Sequence, residues 1–502
     1  MTDGDTDDRR LRRVTTGVPG LDEVLHGGLF AGGVYIVRGT PGAGKTILAN
    51  QLCIHHARAG GRALFVTLLA ESHARMIQHM ERLDFYDEAL VPKQLYYVSG
   101  FRTLEEEGLD GLMKLLRREM RDREASLLVL DGLLAVEETS GSDREFKKFI
   151  HEFQAYVGTE GCTALMLTNG NRAEYHPEHT MVDGLITLED ARYGRRKQRE
   201  IEVLKFRGSA SLRGRHPFRI TGEGIRVYPR VEARYTDRDV EAPRDRVSTG
   251  IDALDAMMSG GPVARSASLV FGATGSGKTT VGTHFLARSS AEQPGLHFGF
   301  YETPNRLMAN AAAVGLDLRP LVDAGHLELM WHTPTEQIID DLGGKLVDAV
   351  KRRGVRRVFI DGLNAFAVVA DQPERLAGFF TALLGELRSL GATTIMTAEI
   401  PNLVGPEVRV PVEGISALVD NTVLLRLVEL RARLYRTVSV VKVRGGSFDP
   451  RLREFRITDQ GVVLADSFES AEALLSGFGT DRGGGGDDMA SPTSGPPRSG
   501  RA

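Results

Sequence analysis

The stretches VRGTPGAGKTI, residues 37–47, and FGATGSGKTTV, residues 271–281, share one pattern. Each contains G-x-x-x-x-G-K-[ST] and stands between an apolar run typical of a strand and a longer run typical of a helix. In such a loop the glycines let backbone N–H groups turn toward phosphate oxygens, at the positive end of the helix dipole. The sequence therefore predicts two phosphate-binding P-loops, because a glycine turn without a ligand would not recur in this context.

Single positions in the two loops have distinct expected roles. Lys45 and Lys278 should reach the β- and γ-phosphates of a nucleotide, and the hydroxyls of Thr46 and Thr279 should bind Mg²⁺. The residues expected to bind ATP are Gly39, Thr40, Pro41, Gly42, Ala43, Gly44, Lys45 and Thr46 in the first loop and Gly272, Ala273, Thr274, Gly275, Ser276, Gly277, Lys278 and Thr279 in the second.

Carboxylates at strand ends supply the remaining parts of a nucleotide-hydrolysing site. Asp131 ends the apolar run SLLVLD and Asp361 ends RRVFID, which predicts a second Mg²⁺ ligand in each half. Capping of the next helix is the alternative role for these aspartates. Glu71 in FVTLLAESH and Glu302 in FGFYETPNR follow the next strand, where a carboxylate can orient or deprotonate the attacking water. A solvated helix cap is the alternative for both glutamates.

The chain contains an internal repeat of more than 200 residues. TTGVPGLDEVLHGGL from Thr15 returns as STGIDALDAMMSGGP from Ser248, followed in the same order by the P-loops, the aspartate strands, LKFRG or VKVRG, and FRITGEGI or FRITDQGV. Five blocks at nearly constant offset indicate a domain duplication with small loop insertions. Apolar runs alternate with amphipathic stretches in each copy, which predicts an α/β fold with two mainly parallel sheets flanked by helices.

Composition also predicts the domain boundaries, the classes of partner and the cellular compartment. We predict domains at residues 1–235 and 236–470, a polar linker within 231–248 and a disordered tail at 471–502. The formal net charge of −4 gives no overall attraction to nucleic acid or membrane. Cys53 and Cys162 have no near partner, which indicates buried thiols in a reducing compartment. Without a signal sequence or an apolar run of about 18 residues, we expect a cytoplasmic protein with no membrane segment.

The duplicated TG…LD…GG lead, the two P-loops, the twin K-x-R-G strands and the FRIT blocks together resemble the KaiC family of cyanobacterial circadian-clock ATPases. More broadly they resemble RecA-like ATPases, and the resemblance covers residues 12–470. It implies a RecA-type fold in each half and a homohexamer of two stacked rings with ATP held between neighbouring subunits. It also implies an N-terminal ring that is mainly an ATPase and assembly platform, and a C-terminal ring with autokinase and autophosphatase chemistry. KaiB-like or other signalling proteins are the partners that it implies.

The K-x-R-G strands carry the family's inter-subunit residues, which here are Lys205, Arg207, Lys442 and Arg444. In the family this Lys and Arg reach the nucleotide of the adjacent protomer. Alternate residues of a strand face one side, so such a pair can stabilise the charge that develops at the γ-phosphate. An exposed basic strand that deters aggregation is the alternative.

The chain departs from the family at the catalytic carboxylates. The family has two adjacent glutamates there, whereas the first copy reads LLAES, with Ala70 at the first position and an apparent one-residue insertion. The second copy reads YETP, which keeps Glu302 and has Thr303 next. In the N-terminal half, either Glu71 substitutes as the general base or hydrolysis is slow.

A second departure lies in GISALVDNTVLL, residues 414–425. By the resemblance this segment aligns with the neighbouring Ser and Thr that the family autophosphorylates, and here the pair reads Ser416-Ala417. Ser416 is therefore the candidate phosphoacceptor, and a small residue packed at a ring interface is its alternative role. Thr422 is a less favoured acceptor because it lies further along the following apolar strand.

Two other classes of function stay open at this point. A DNA-dependent recombinase or helicase loader would use ATP to contact nucleic acid, and a scaffold would bind ATP without turnover. The basic run RYGRRKQRE, residues 192–200, could follow nucleic-acid phosphates, but a solvated hairpin arm is the favoured interpretation. The acidic balance and an aromatic content of 7% argue against a platform for single-strand stacking, so we do not expect nucleic acid as a partner.

Overall fold

The structure, a computed structural model, describes residues 12–68, 73–169, 181–236, 243–400, 414–430 and 433–465. In this part of the chain each half forms a nine-stranded sheet, and a two-stranded sheet accompanies the first half. None of the described helices combines the length and apolar character needed to cross a bilayer.

The strands of the N-terminal half are β1 (Arg13–Val14), β2 (Leu29–Phe30), β3 (Val34–Gly39), β4 (Ala63–Thr67), β5 (Leu95–Ser99), β6 (Leu127–Asp131), β7 (Thr163–Asn169), β8 (Gly184–Tyr193), β9 (Arg196–Phe206), β10 (His216–Thr221) and β11 (Gly224–Val227). Its α-helices are Leu21–Val24, Lys45–Arg58, His73–Met80, Phe101–Asp122, Leu133–Thr139 and Asp143–Thr159, with a 3₁₀ turn at Glu88–Leu90. The sheet order is β11-β10-β9-β8-β3-β7-β6-β4-β5.

The strands of the C-terminal half are β12 (Ala267–Gly272), β13 (Gly295–Gly299), β14 (Leu327–Trp331), β15 (Arg357–Asp361), β16 (Thr393–Glu399), β17 (Asn421–Leu430), β18 (Arg433–Val443), β19 (Arg453–Thr458) and β20 (Gly461–Leu464). Its α-helices are Asp252–Met257, Lys278–Ala287, Pro304–Ala312, Arg319–Asp323, Ile339–Arg353, Leu363–Val369, Leu376–Ser389 and Ile415–Leu418, with a 3₁₀ turn at Pro373–Arg375. The order β14-β13-β15-β16-β12-β17-β18-β19-β20 repeats that of the first half, read from the opposite edge.

Both sheets place the P-loop strand at the same point. β3 lies between parallel neighbours β7 and β8, and β12 lies between parallel neighbours β16 and β17. The antiparallel strands begin with β9 in the first half and β18 in the second. The predicted fold class, two mainly parallel sheets flanked by helices, is confirmed.

The central strands are apolar because both of their faces are covered. Along β3, Tyr35 and Val37 pack in one core, whereas Val34 and Ile36 pack in the core on the opposite face. This alternation is the period-2 geometry of a strand, and it explains why the strand reads as one continuous apolar run. Both cysteines are buried and unpaired within the described residues, as predicted, and burial raises the pKa of the Cys162 thiol to about 12.

The segment predicted to be a polar linker begins with a short helix, Val231–Arg234, that packs on the second half. The backbone N–H of Val231 donates to Asp340 Oδ1 at 3.0 Å. The Arg375 guanidinium binds the carboxylates of both Asp340 and Glu232. The side chain of Asp340 is fully buried, so this ion cluster ties the end of the first half to the second. The predicted boundary at residue 235 stays a prediction.

The basic run 192–200 lies on the β8–β9 hairpin, and that hairpin contacts the second half. Arg196 pairs with Asp371 at 3.6 Å and Lys197 pairs with Asp190 at 3.2 Å. The hairpin interpretation agrees with this arrangement: Arg196 contacts the second half, whereas Arg192, Arg195 and Lys197 are exposed.

Candidate nucleotide sites

The first P-loop connects β3 to the helix Lys45–Arg58. Gly42 and Gly44 have φ of 80° and 106°, a region that L side chains rarely adopt. A Cβ at Gly39 would lie 2.5 Å from the carbonyl oxygen of Leu188, so this position has no room for a side chain. The loop therefore needs glycine for backbone conformation at two positions and for close packing at a third.

Lys45 folds back over this loop. Its Nζ donates to the carbonyl oxygens of Gly39 at 2.7 Å and Thr40 at 3.1 Å. Burial lowers the pKa of Lys45, and the nearby carboxylate of Asp131 partly offsets that effect. An ammonium held in this position lies where the nest of loop N–H groups would hold phosphate oxygens.

The second P-loop repeats this geometry between β12 and the helix Lys278–Ala287. Gly275 and Gly277 have φ of 72° and 100°. Lys278 Nζ donates to the carbonyl oxygens of Gly272 at 2.9 Å and Ala273 at 2.8 Å. The two loops predicted from sequence thus share the same lysine contacts, 233 residues apart.

Each loop threonine meets the aspartate at the end of a neighbouring buried strand. Thr46 Oγ1 donates to Asp131 Oδ2 at 3.1 Å, and Thr279 Oγ1 donates to Asp361 Oδ2 at 3.0 Å. A hydroxyl and a carboxylate beside a phosphate nest are the oxygen donors that Mg²⁺ takes from proteins, together with phosphates and water. The residues therefore fit the predicted metal, which would balance the nucleotide's charge when bound. Within the described ranges, no group of three or more His, Cys, Asp or Glu residues forms a separate metal site.

The two aspartates differ in the residue that stands beside them on the neighbouring strand. In the second half, Thr397 Oγ1 donates to Asp361 Oδ1 at 2.6 Å and accepts from the N–H of Gly362 at 2.8 Å. The register of β6 with β7 pairs Asp131 with Leu167 at the matching position. Burial raises the pKa of Asp361, while the hydroxyls of Thr397 and Thr279 and the charge of Lys278 lower it.

The predicted catalytic glutamates do not occupy matching positions. Gly299 pairs with Asp361 in the second sheet, and Thr67 pairs with Asp131 in the first. Counting from these pairs, Glu302 follows its strand by three residues and Glu71 follows its strand by four. Glu302 accepts two hydrogen bonds from Asn310 Nδ2, both 3.2 Å long. Glu71 lies outside the described residues, so its role stays a prediction.

The K-x-R-G residues lie at the end of each sheet where the P-loop strand begins, whereas the P-loop follows the carboxyl end of that strand. The N–H of Arg444 donates to the carbonyl of Asp420, whose N–H donates to Ala267, five residues before Gly272 on β12. At about 3.3 Å per residue, that separates Arg444 from its own P-loop by roughly 16 Å.

Lys205 and Arg207 occupy the same edge of the first sheet. The N–H of Arg207 donates to Asp183, and Asp183 donates to Val34, five residues before Gly39. Burial lowers the pKa of Lys205, and the positive charge of Arg207 lowers it further. The pair in each half therefore stands close together, away from the phosphates that its own loop would bind.

The segment with Ser416 lies against this second cationic pair. Lys442 Nζ donates to the carbonyl oxygens of Ser416 and Val419, both at 2.8 Å. Arg444 donates to the carbonyl of Ala417 at 3.0 Å. Ser416 itself is exposed in the short helix Ile415–Leu418, so its hydroxyl is open to a neighbouring molecule.

One residue near the second P-loop was missed by sequence reasoning. Arg436 Nε donates to the carbonyl of Gly275 at 3.0 Å. Strand β18 therefore places one cation at the P-loop of its own half, and the Lys/Arg pair of K-x-R-G at the opposite end of the sheet. A signal was available in the repeat, because Arg199 and Arg436 each stand six residues before the lysine of K-x-R-G.

The comparisons with known proteins agree with the repeat and the loops. A family model described as "ATPase: KaiC" matches residues 14–232 and again residues 247–469. The chain is 29% identical over 486 residues to the circadian clock oscillator protein KaiC of Picosynechococcus sp., with 94% of this chain and 93% of that protein covered. It is 28% identical over 498 residues to the circadian clock protein KaiC3 of Synechocystis sp., with 95% and 96% covered. Since the family model matches both halves, the chain belongs to the KaiC family of P-loop ATPases.

Proposed function

We propose that this protein is an ATP-hydrolysing homohexamer of two stacked rings, with ATP and Mg²⁺ bound between neighbouring subunits. In each half the P-loop, its threonine and Asp131 or Asp361 hold the nucleotide and metal on one face of the subunit. Lys205 and Arg207, or Lys442 and Arg444, stabilise the γ-phosphate of the neighbour's nucleotide. Glu302 orients the nucleophile in the C-terminal site, and Glu71 is the candidate for this role in the N-terminal site. We infer a clock-type signalling role from the relatives' names.

The position of the K-x-R-G pairs is the observation that carries this proposal. Each pair lies at the amino edge of the central strands, whereas the P-loop of the same half lies at their carboxyl edge. In the second half the backbone of Arg444 lies roughly 16 Å from its own loop, and the side chains of Lys442 and Arg444 donate to carbonyls of residues 416–419, so they are poorly placed to stabilise charge at their own phosphate nest. In a ring, the contact between subunits is heterologous, so the K-x-R-G end of one subunit would face the P-loop end of its neighbour. Such a contact would complete every site.

Mixed hexamers test this arrangement. Arg444→Ala and Lys278→Ala each disable the C-terminal sites of a pure hexamer, but on opposite edges of the subunit. Mixing the two variants places some intact Lys278 edges against intact Arg444 edges, so ATP hydrolysis should rise above the mean of the two pure proteins. The measurement is ATP turnover after subunit exchange, with exchange verified by native mass measurement.

A matched control uses two defects on one edge. Thr279→Ala mixed with Lys278→Ala should restore nothing, because both residues belong to the same P-loop. Failure of the Arg444 mixture to recover, with exchange verified, would place Arg444 in its own subunit's chemistry or in none.

We further propose that the C-terminal half is an autokinase that phosphorylates Ser416. The exposed Ser416 lies on a segment whose carbonyls accept hydrogen bonds from Lys442 and Arg444. These are the two residues proposed to stabilise the γ-phosphate of the neighbouring subunit's nucleotide. Glu302 of the subunit that binds the ATP is the candidate acceptor of the serine proton. Ala417 has no hydroxyl, so at most one phosphate should appear on residues 414–425 after incubation with Mg-ATP. Peptide mapping tests this, and two phosphates on this segment would contradict it.

The two rival functions differ in one measurement. A recombinase or helicase loader would show ATP turnover strongly stimulated by single-stranded DNA, and a scaffold would bind ATP without turnover. Arg196 and Lys197 on the basic hairpin form ion pairs with aspartates of the same chain. For this reason we expect ATP hydrolysis that does not depend on DNA.

A further inference from the structure

A second carboxylate stands at the C-terminal nucleotide site beside the assigned residues. Glu399 ends β16, the strand that runs parallel to the P-loop strand β12, and it pairs in register with Gly272, the first residue of the loop. β16 also lies next to β15, which ends at Asp361. Glu399 is therefore the last residue of a strand located between the P-loop strand and the metal-binding aspartate.

The direction of the Glu399 side chain follows from its strand. Thr397, two residues earlier, directs its hydroxyl to Asp361, and alternate residues of a strand share a face. Glu399 thus extends from the same face one step further, past the end of the sheet, where the terminal phosphate of a bound nucleotide would lie. Glu399 is exposed.

The backbone of Glu399 is held in place by one side chain. Asn364 Oδ1 accepts from the N–H of Glu399 at 2.8 Å, and Asn364 Nδ2 donates to its carbonyl at 3.2 Å. Paired hydrogen bonds of this kind restrict both neighbouring peptide units, which is the positioning that a reactive group requires.

The electrostatic surroundings agree with this placement. Burial lowers the pKa of Lys278, and the carboxylates of Glu399 and Asp361 oppose the effect, Glu399 more strongly. Burial raises the pKa of the Tyr301 phenol, and the same two carboxylates raise it further. Glu399 therefore faces the lysine assigned to the β- and γ-phosphates.

The N-terminal site has neither part of this arrangement. Gly39 pairs with Asn169 where Gly272 pairs with Glu399, and Leu134 stands where Asn364 binds the strand end. Among the described residues, Asp131 is the carboxylate that raises the pKa of Lys45. At the strand position next to the first glycine of the loop, the two halves therefore differ by one ionisable group.

We propose that Glu399 is a catalytic residue of the C-terminal site, where it accepts the proton of the water that attacks the γ-phosphate. The water oxygen forms a bond to the γ-phosphorus while the bond to the β,γ-bridging oxygen breaks. The water proton passes to the Glu399 carboxylate, and ADP and phosphate leave. Glu302 orients the same water. This inference rests on the proposed ATPase function.

The test uses the full chain, and the turnover that remains in Lys278→Ala is subtracted as the contribution of the N-terminal site. Glu399→Gln should lower kcat on the order of 100-fold, the usual contribution of a general base. Binding of a fluorescent ATP analogue should stay within about two-fold of the parent, because Lys278 and the loop amides remain. Glu292→Gln is the matched control, an exposed carboxylate before β13 at the other end of the sheet, and should change neither quantity.

Each other outcome has a defined meaning. An unchanged kcat in Glu399→Gln, while Asp361→Asn abolishes turnover, would overturn the role of Glu399 and leave the ATPase proposal intact. A loss of binding as large as the loss of kcat would assign Glu399 a structural role and also overturn the inference. No turnover in the unmodified chain would instead contradict the proposed function itself.

Discussion

The two nucleotide sites of this chain share their phosphate-binding parts and differ in the residues around the reacting phosphate. Lys45 and Lys278 make the same contacts to the first two carbonyls of their loops. Around Asp361, however, Thr397 adds a hydroxyl and Glu399 adds a carboxylate, whereas the matching positions hold Leu167 and Asn169. The lysine contacts of the two loops are thus the same, whereas the residues beside the strand-end aspartates differ.

This comparison suggests that the N-terminal site binds ATP chiefly to assemble the ring, and the C-terminal site uses it for chemistry. Both sites keep a loop threonine on a strand-end aspartate, so both can hold a metal with the nucleotide. Among the described residues, the exposed Ser416 of the C-terminal half lies beside Lys442, one of the cations proposed to act in trans.

The largest expected effect comes from removing one P-loop lysine at a time. Lys45→Ala should greatly weaken ATP-dependent assembly of the hexamer, and Lys278→Ala should remove C-terminal turnover while the hexamer persists. A charge-assisted contact to phosphate contributes roughly 1.5–3 kcal/mol, a factor of about 10 to 150 in nucleotide affinity. Native mass measurement across an ATP titration separates the two effects.

The matched control for this comparison is Lys345→Ala, at an exposed lysine that pairs only with Asp341 among its described contacts. It should alter neither assembly nor turnover. If Lys45→Ala assembled at every ATP concentration as the unmodified chain does, the assignment of assembly to the N-terminal ring would be wrong.

A second difference lies in the cores, where His297 on β13 occupies the position that Phe65 occupies on β4. Burial lowers the pKa of His297 to about 4, and its Nε2 has no hydrogen-bond partner in the described structure. The folded state holds the imidazole neutral, whereas the unfolded chain protonates it below its ordinary value of 6.5. Stability from this group is therefore full above that pH and is lost as pH falls toward 4.

His297→Phe tests the consequence by making the second core resemble the first. At pH 4 to 5 the variant should retain up to about 3 kcal/mol that the unmodified chain loses, since each pKa unit corresponds to about 1.4 kcal/mol. Chemical unfolding followed by Trp331, the one tryptophan of the chain, reports on the adjacent strand β14. Equal acid sensitivity in both proteins would show that another group is responsible, such as His216, whose pKa burial also lowers to about 4.

The smallest expected effect concerns Thr397. Thr397→Val removes the hydroxyl that accepts from the N–H of Gly362 and donates to Asp361, at nearly constant volume. Leaving the buried N–H without a partner should cost about 1–3 kcal/mol of unfolding free energy. Thr381→Val, at an exposed threonine of the helix Leu376–Ser389, is the control and should cost less. A loss of unfolding free energy no greater than that of the control would show that the Thr397 hydroxyl contributes no more to stability than an exposed threonine does.

Sequence alone determined the duplication, the fold class and the two P-loop turns, because these depend on local rules. Glycines that need positive φ, a lysine after them and an apolar strand before them are contiguous in the chain, so their pattern is visible without coordinates. The strand-end aspartates were equally visible, since an acidic residue that follows an apolar run marks a strand end.

Only the tertiary structure decided which residues of distant segments meet at one edge of a sheet. The strand register pairs Glu399 with Gly272 and places Arg444 at the end of the sheet opposite the P-loop. Neither relation can be read from residue spacing, because strand order and register are set by packing of the whole sheet. The docked helix Val231–Arg234 was missed for the same reason. Its polar sequence is typical of a linker. The partners that hold it against the second half, Asp340 and Arg375, lie more than 100 positions further along the chain.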